Sequence, residues 1–445
     1  MTLAPWPDAP TGATPEARWR AEITRRDPPE LNLGEHHRLV VLAAHPDDET
    51  LGAGGLIHLA GQRGWRVDAV VATAGEASHP DSRTHPPHRL AAIRRDELEQ
   101  AVRALHPAAR VHHFGYPDGG LADHEDDLCA ELVRLIDLDG ANTLLAAPWR
   151  GDRHPDHEAA GRAAATACAR TDATLLEYPI WLWHWGFPDD VPWRWVRRLE
   201  LPPAARRTKA NAAAQHVSQT RPLSDEPGDE TLLPAPILAR FERDSELFVR
   251  RERPVDDALD RLHRDDPDPW RTASSRYEID KRTATLAALP PRRFARALDV
   301  GCSIGLLTQQ LATRADEVEA LDASPAALEA ARERLAHLPH VRLHRARVPD
   351  DWPPGRFDLV VVSEVGYFLS PAALVGLVDA VRAALAYDGV VALCHWRHDI
   401  HGWPLSADRV HRAFAAALGA STQVRRQATN DYLLDVYERT PGGPA

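Results

Sequence analysis

The apolar run Arg38-Leu39-Val40-Val41-Leu42-Ala43 reads as a buried strand, and it ends in the stretch Ala44-His45-Pro46-Asp47-Asp48-Glu49. Thr50-Leu51-Gly52-Ala53-Gly54-Gly55 follows and opens a helical pattern through Leu59. A strand that turns directly into a helix opens an α/β unit, and open α/β sheets place their ligands beyond the carboxyl ends of their strands. A helix cap accounts for one acid in such a turn, but not for a histidine and three acids within five residues.

A second cluster supplies what the first lacks. Pro148-Trp149-Arg150-Gly151-Asp152-Arg153-His154-Pro155-Asp156-His157-Glu158 follows another apolar run, residues 143–147. His45, Asp48 and His157 make a two-histidine, one-carboxylate set. That is the ligand chemistry of a catalytic zinc with its fourth position left for water. Zinc brings the pKa of its water down toward ~7 and polarises a carbonyl. Asp47, beside the ligands and free of the metal, is placed to take the proton. His154, three residues before His157, is placed to donate to the oxyanion or the leaving amine.

His45-Pro46-Asp47-Asp48-Glu49 with His154-Pro155-Asp156-His157 resembles the PIG-L/LmbE-like family of zinc-dependent N-acetyl sugar deacetylases. Thr73-Ala74-Gly75-Glu76, Arg94-Arg95-Asp96-Glu97 and Gly115-Tyr116-Pro117-Asp118-Gly119-Gly120 match it too, and the likeness covers about residues 36–253. It implies that His45, Asp48 and His157 hold Zn2+, that Asp47 is the general base, and that the substrate is a small N-acetylated sugar-like molecule. It also implies substrate contacts by Arg94 and Asp118. On residue type alone, Arg94 and Glu97 read as an exposed helix ion pair and Asp118 as a turn residue. Lys209, His216, Ser218 and Gln219 fall on a helix end that resembles the late part of the family. The aromatic stretch 178–195, with Trp181, Trp183, Trp185, Trp193 and Trp195, suits either stacking on sugar rings or burial in a core or interface.

A new unit begins at Arg296-Ala297-Leu298-Asp299-Val300-Gly301-Cys302-Ser303-Ile304-Gly305, a strand and a glycine turn leading to a helix at about 306–312. Small residues in such a turn allow close backbone approach to a ligand. The next strand ends at Asp322, about 21 residues past Gly301, spaced to bind ribose hydroxyls. Strands at 341–344, 356–364 and 390–396 alternate with helices at 325–336 and up to 386. This order resembles a class I S-adenosyl-L-methionine-dependent methyltransferase. A dinucleotide-binding unit is the rival reading, and no long second nucleotide-binding half follows. Asp266-Pro267-Asp268-Pro269-Trp270, Tyr277-Glu278 with Lys281, Ser363-Glu364-Val365-Gly366-Tyr367 and His395-Trp396-Arg397 resemble more closely the nodulation-type N-methyltransferases. That family methylates the freed amine of a deacetylated chitooligosaccharide. The resemblance implies S-adenosyl-L-methionine held by Asp299, Gly301, Cys302, Gly305 and Asp322. Trp270 and Tyr277 then cover it, since an aromatic face tolerates a sulfonium cation. Glu364, Tyr367 and His395 are candidates to accept the amine's proton or to hold the amine. Glu364 and Tyr367 read equally as capping or packing residues, and His395 as a core histidine.

A chain of 445 residues is too long for one ordinary core. The fold class expected is α/β: two domains, each a mostly parallel Rossmann-like sheet flanked by helices. The division expected is an irregular leader at 1–35 with a short helix near residues 16–20, the deacetylase-like domain at 36–253, a linker at 254–268 and the methyltransferase-like domain at 269–445. Residues 221–236 read as a mobile loop and 237–253 as an amphipathic helix closing the first domain. A formal net charge of −12 argues against a general nucleic-acid or acidic-membrane binder. No stretch reads as a membrane span or signal peptide. Four widely spaced cysteines form no metal pair and no disulfide framework, which fits a reducing cytoplasm.

Overall fold

The computed structural model describes residues 14–251, 256–419 and 422–439. The chain divides into two compact units, Met1–Val255 and Asp256–Ala445.

The first unit holds β1 (Arg38–Ala43), β2 (Arg66–Thr73), β3 (Arg110–Tyr116), β4 (Thr143–Pro148), β5 (Thr174–Tyr178), β6 (Val196–Glu200) and β7 (Ser245–Val249), in the order β3-β2-β1-β4-β5-β7-β6. The first five strands run parallel, and β7 pairs antiparallel with β5 and β6. Helices cover both faces, so β1 is buried throughout. Leu39 and Val41 face one core with Leu51, Leu56 and Ile57; Val40 and Leu42 face the other with Leu128, Leu132 and Ala160. The glycines of helix Asp48–Gln62 permit a close fit. A Cβ on Gly52 would stand 2.1 Å from the Tyr178 ring.

A single carboxylate pins the other end of three strands. Asp68 on β2 is fully buried. It accepts from Arg38 of β1 at 3.1 Å, and it pairs with Arg66 at 3.1 Å, Arg110 at 3.0 Å and His112 at 3.0 Å.

The second unit holds β8 (Phe294–Val300), β9 (Ala315–Asp322), β10 (Val341–Arg345), β11 (Phe357–Ser363), β12 (Leu385–Trp396), β13 (Thr422–Ala428) and β14 (Tyr432–Arg439), in the order β10-β9-β8-β11-β12-β14-β13. Ranked within their own unit, the strands repeat the order of the first. In both, the chain lays three strands to one side and then returns to the other side of its first strand. The crevice at that reversal, β1/β4 and β8/β11, is the topological switch point where such sheets bind ligands.

Several segments differ from expectation. Within the expected leader, the short helix expected near residues 16–20 runs on over Glu16–Arg26, and its Trp19 and Ile23, four apart on one face, are buried; Trp19 Nε1 donates to Trp183 O at 2.9 Å. Residues 1–13 lie outside the described part. Within the stretch expected to be a linker, Ala258–Asp265 is a helix of the second unit, and residues 252–255 lie outside the described part. The expected helix at 237–253 is instead the short helix Ala235–Leu238 followed by β7. All of β7 is buried, including Glu246, whose charge is met by Lys209 Nζ at 2.7 Å and by the N–H groups of Gly55 and Leu56 at 2.7 and 2.9 Å. The loop expected to be mobile is tied down: buried Asp229 accepts from Ser224 Oγ at 2.5 Å and from Thr84 Oγ1, and His79 Nε2 meets Glu230 O at 3.0 Å. The four cysteines are buried and form no disulfide, and no helix among the described residues is long and apolar enough to cross a membrane.

Removing Asp68 would leave the buried Arg38 guanidinium without its carboxylate. Asp68→Ala is expected to destabilise the first unit by about 3 kcal/mol, the low end for breaking a buried pair because Arg38 keeps carbonyl partners. The check is a lower urea midpoint.

Candidate active sites

In the first unit the β1 and β4 loops meet at the switch point. His45 Nδ1 stands 3.2 Å from His157 Nε2 and 3.6 Å from Asp48 Oδ2, and His157 Nε2 stands 3.3 Å from Asp48 Oδ2. Ligand atoms about 2.1 Å from a tetrahedral ion stand roughly 3.4 Å from one another, so the three atoms fit the corners of a zinc site. All three residues are buried. His45, His154 and Asp156 form an overlapping group. Asp156, however, faces the far nitrogen of His45 and accepts from the N–H groups of Gly119 and Leu121 at 2.7 and 3.1 Å.

The surrounding carboxylates orient the imidazoles. His157 Nδ1 lies 2.8 Å from Asp152 Oδ2, and Asp152 accepts from the N–H groups of Ile180, Trp181 and Leu182 at 2.8, 2.9 and 2.9 Å. His45 Nε2 lies 3.1 Å from Asp118 Oδ1 and 3.2 Å from Asp156 Oδ2. Such partners fix the ring and raise its basicity toward a metal. Asp152 and Asp156 lie inside the recognised motif, yet nothing local in sequence distinguishes an acid that holds a ligand from one that caps a helix.

Two expected substrate contacts take other places. Asp118 is spent on His45 and on the N–H of Ala77 at 2.8 Å. Arg94 is buried and holds the loop itself, donating to Pro46 O at 2.6 Å, Gly75 O at 2.8 Å and Asp47 Oδ2 at 3.3 Å. Nor is Arg94 an exposed partner of Glu97, which accepts from Ser218 N and Oγ at 2.8 and 2.7 Å. Asp47 sits at φ 120°, a conformation rare outside glycine, with its N–H held by Glu49 Oε2 at 3.1 Å. Burial pushes its carboxyl up to about 6 against the pull of Arg94. His154 caps helix Pro155–Thr171 by accepting from Asp156 N, and burial, with His157 and His45 beside it, holds its pKa far below the ordinary value. Of the late residues, Lys209 pairs with Glu246, Ser218 and Gln219 join the Glu97 network, and Glu49 raises the His216 pKa against its burial. The aromatic stretch divides between its two readings. Trp183 is buried edge-on to Trp19, while Trp181 stacks on Trp185 at 4.8 Å and lies parallel to His154 at 6.4 Å, beside the metal-type cluster.

In the second unit Gly301 and Gly305 sit at φ 77° and 81°, and a Cβ on Gly301 would stand 2.9 Å from Val365 Cβ across the switch point. Asp322 pins the turn by accepting from the N–H groups of Ser303 and Ser324, both at 2.8 Å. Asp299 is buried and accepts from Thr308 Oγ1 at 2.6 Å, tying β8 to helix Leu306–Leu311; burial pushes its carboxyl up to about 6. Cys302 is buried in the same turn, and burial raises its thiol well above the ordinary range. His263, in the former linker, meets Ser303 Oγ at 3.4 Å and the partly exposed Trp270 ring at 5.1 Å. Trp270 thus reaches the turn only through His263.

Opposite lies Glu364, at φ 58°. Its oxygens receive Lys281 Nζ at 2.8 Å, Trp396 N–H at 3.1 Å and the Tyr367 hydroxyl. Burial raises the carboxyl and Lys281 opposes it. Lys281 also reaches Glu278 Oε1 at 2.7 Å and lies 5.0 Å over the Tyr277 ring. Glu364 is thus an ion-paired anchor rather than a free base. His395 takes the core alternative: it is fully buried, with Nε2 3.1 Å from Gly366 N and Nδ1 3.2 Å from His411 Nε2. Neither ring nitrogen is left for a substrate proton.

A metal-type triad at one switch point and a glycine turn answered by an acid at the other define a two-domain enzyme, an amide hydrolase joined to a group-transfer unit. The family model described as GlcNAc-PI de-N-acetylase (PIG-L) matches residues 40–168, and that of Nodulation protein S (NodS) matches residues 254–430. The chain belongs to the PIG-L deacetylase family over its first unit, and its second unit is similar to NodS. It is 31% identical over 223 residues to the 1D-myo-inositol 2-acetamido-2-deoxy-alpha-D-glucopyranoside deacetylase of Streptomyces scabiei, covering 43% of this chain and 67% of that protein. It is 29% identical over 178 residues to Nodulation protein S of Sinorhizobium fredii, covering 39% of this chain and 77% of that protein. It spans about half the length of other nodulation S proteins, 45% for that of Rhizobium tropici. Among solved structures, the N-methyltransferase NodS of Bradyrhizobium japonicum WM9 in complex with S-adenosyl-l-homocysteine is 22% identical, covering 41% of this chain and 99% of that one, with a TM-score of 0.36.

Asp152→Ala leaves all three metal-facing atoms in place but frees the His157 ring. Metal affinity should fall by about 10–100-fold, measured by chelator competition. Gly301→Val should abolish S-adenosyl-L-methionine binding in calorimetry, because a branched side chain meets Val365 and is strained at φ 77°. Metal content should be unchanged.

Proposed function

We propose that the chain is a bifunctional enzyme. Its first site hydrolyses the N-acetyl group of a small aminosugar-type molecule, and its second methylates the freed amine from S-adenosyl-L-methionine. The observation that carries the hydrolase half is the 3.2–3.6 Å triangle of His45 Nδ1, Asp48 Oδ2 and His157 Nε2. Zinc held there supplies Lewis-acid chemistry, making water acidic at neutral pH and polarising a carbonyl. Asp47, aimed by Arg94 and by its own strained backbone, takes the water's proton. His154, on the opposite loop, faces the oxyanion and leaving amine. Trp181 beside it offers an apolar face to a sugar ring.

The order of the reactions follows from nitrogen chemistry. An amide lone pair is delocalised into the carbonyl and attacks a sulfonium poorly, whereas a free amine attacks readily. The second site favours an amine over a hydroxyl. Glu278 and Glu364 share one ammonium, Lys281, so a net negative charge remains beside the crevice; side-chain exposure is 4% for Lys281 but 14% and 25% for the carboxylates. A cationic acceptor meets the carboxylates first. Burial works against the Lys281 proton, yet the two glutamates hold it. Positioning of amine and methyl group then supplies much of the rate. Cysteines without disulfides are compatible with a cytoplasmic setting for both steps.

Mass spectrometry with a labelled methyl donor tests the coupling. Asp47→Asn should keep its metal and lose most deacetylation, and near-normal turnover would remove Asp47 from the role of base. His157→Ala should yield no methylated product from an N-acetylated sugar, yet methylate the pre-deacetylated compound. Label entering the intact N-acetyl compound in that variant would replace N-methylation with O-methylation.

A further inference from the structure

A line of buried side chains runs inward from the edge of the second sheet and ends on the turn that carries Tyr367. Gly366 N lies 3.1 Å from His395 Nε2, His395 Nδ1 lies 3.2 Å from His411 Nε2, and His411 Nδ1 lies 2.8 Å from Asp435 Oδ2. Arg426 closes the line, with Nε and Nη2 at 2.7 and 2.6 Å from the Asp435 oxygens. His395, His411 and Asp435 are each at most 2% exposed.

The direction of every bond in this line is determined. A backbone N–H only donates, so His395 Nε2 must be bare and accept it. A neutral His395 then carries its proton on Nδ1 and donates to His411 Nε2. His411 in turn carries its proton on Nδ1 and donates to the carboxylate. Burial, with His411 and Lys281 nearby, keeps His395 neutral, consistent with that assignment. Arg426 and His411 hold Asp435 ionised against its burial. The carboxylate therefore selects the tautomer of a histidine two links away.

What that tautomer holds is the methyl-transfer crevice. Gly366 opens the helical turn Gly366–Phe368, and Tyr367 within it bonds to Glu364. The fit leaves no slack, because a Cβ on Gly366 would stand 2.6 Å from Val410 Cγ1 and 3.0 Å from His395 Nε2. The Tyr367 ring also rests edge-on to His395 at 5.3 Å. We propose that His411 and Asp435 are positioning residues for the second site: they hold His395 in the tautomer whose bare Nε2 accepts Gly366 N–H, and so place Tyr367 and Glu364. The functional part rests on the second site being a methyltransferase; the structural part does not.

Asp435→Leu separates tautomer control from bulk. The leucine keeps much of the volume but offers His411 Nδ1 no acceptor, whereas an asparagine would keep its oxygen at the Oδ2 position that His411 Nδ1 and Arg426 Nη2 share. His411 then moves its proton to Nε2, His395 shifts to the Nε2–H form, and His395 confronts Gly366 N–H with a second donor. In the 15N-labelled full chain, long-range proton–nitrogen correlation should show His395 and His411 as Nδ1–H in wild type and Nε2–H in the variant. Hydrogen exchange at Gly366 should become at least about tenfold faster. Asp435→Glu, which keeps the acceptor, should retain the wild-type pattern. With D-glucosamine as acceptor and a labelled methyl donor, Asp435→Leu should lower kcat on the order of a hundredfold and leave KM and cofactor affinity little changed. An unflipped His395, unchanged Gly366 exchange, or flipped rings with a normal kcat would each overturn the assignment. If wild type methylates no aminosugar, the functional reading of the site falls, while the spectroscopic arms still decide the relay.

Discussion

Both units depend on one topological constraint, the return of the chain to the far side of its first strand. A parallel sheet cannot reverse direction without leaving its two innermost crossovers on opposite faces, and the gap between them is never filled by a helix. In the first unit that gap lies between the loops after β1 and β4, and in the second between those after β8 and β11. The candidate metal ligands His45, Asp48 and His157, the glycine turn at Gly301 and Glu364 all sit on those four loops or at the start of the helices that follow them. The same frame serves two chemistries because the loops differ while the strand order does not.

What fills the gaps is negative charge held in place by burial and partners. Asp152 is fixed by three backbone N–H groups, Asp118 and Asp156 by N–H groups beside His45, and Glu364 by a lysine, a tyrosine and a backbone N–H. A buried carboxylate is costly unless its lone pairs are met. Each of these is met, so the acids keep fixed positions instead of turning to solvent. The backbone takes part as well: Asp47 and Glu364 both stand at positive φ at the end of an inner strand, a conformation that costs of order 1–3 kcal/mol and persists only where the surroundings enforce it.

The parts that were legible in sequence are those whose evidence is local. The run before His45 and its glycine-rich helix lie within one stretch of chain, and so do Asp299, Gly301 and Gly305; the alternation of apolar runs carried the sheet order's α/β character. The misread parts depend on partners far along the chain. β7 carries a glutamate at its second position, which argues against a buried strand until Lys209 is known to meet it. Lys281 and Glu364 are 83 residues apart, so neither sequence neighbourhood shows that the glutamate is neutralised. Arg94 and Asp118 were legible as site residues, but their bonds to the Asp47 loop and to His45 were not, because those partners lie far along the chain. His395 differs only in depth: its partner His411 comes from a helix on the far side of β12.

The ordered line from Gly366 to Asp435 also says what this part of the protein cannot do. A chain of histidines ending in a carboxylate looks like a proton wire, but a wire must be able to reverse each of its bonds in turn. This one terminates in a peptide amide, which gives up no proton at ordinary pH and accepts none. A proton placed on His395 Nε2 has nowhere to go. The network therefore acts as a strut, and the proton released when the acceptor nitrogen gains its methyl group must leave by the crevice rather than through the core.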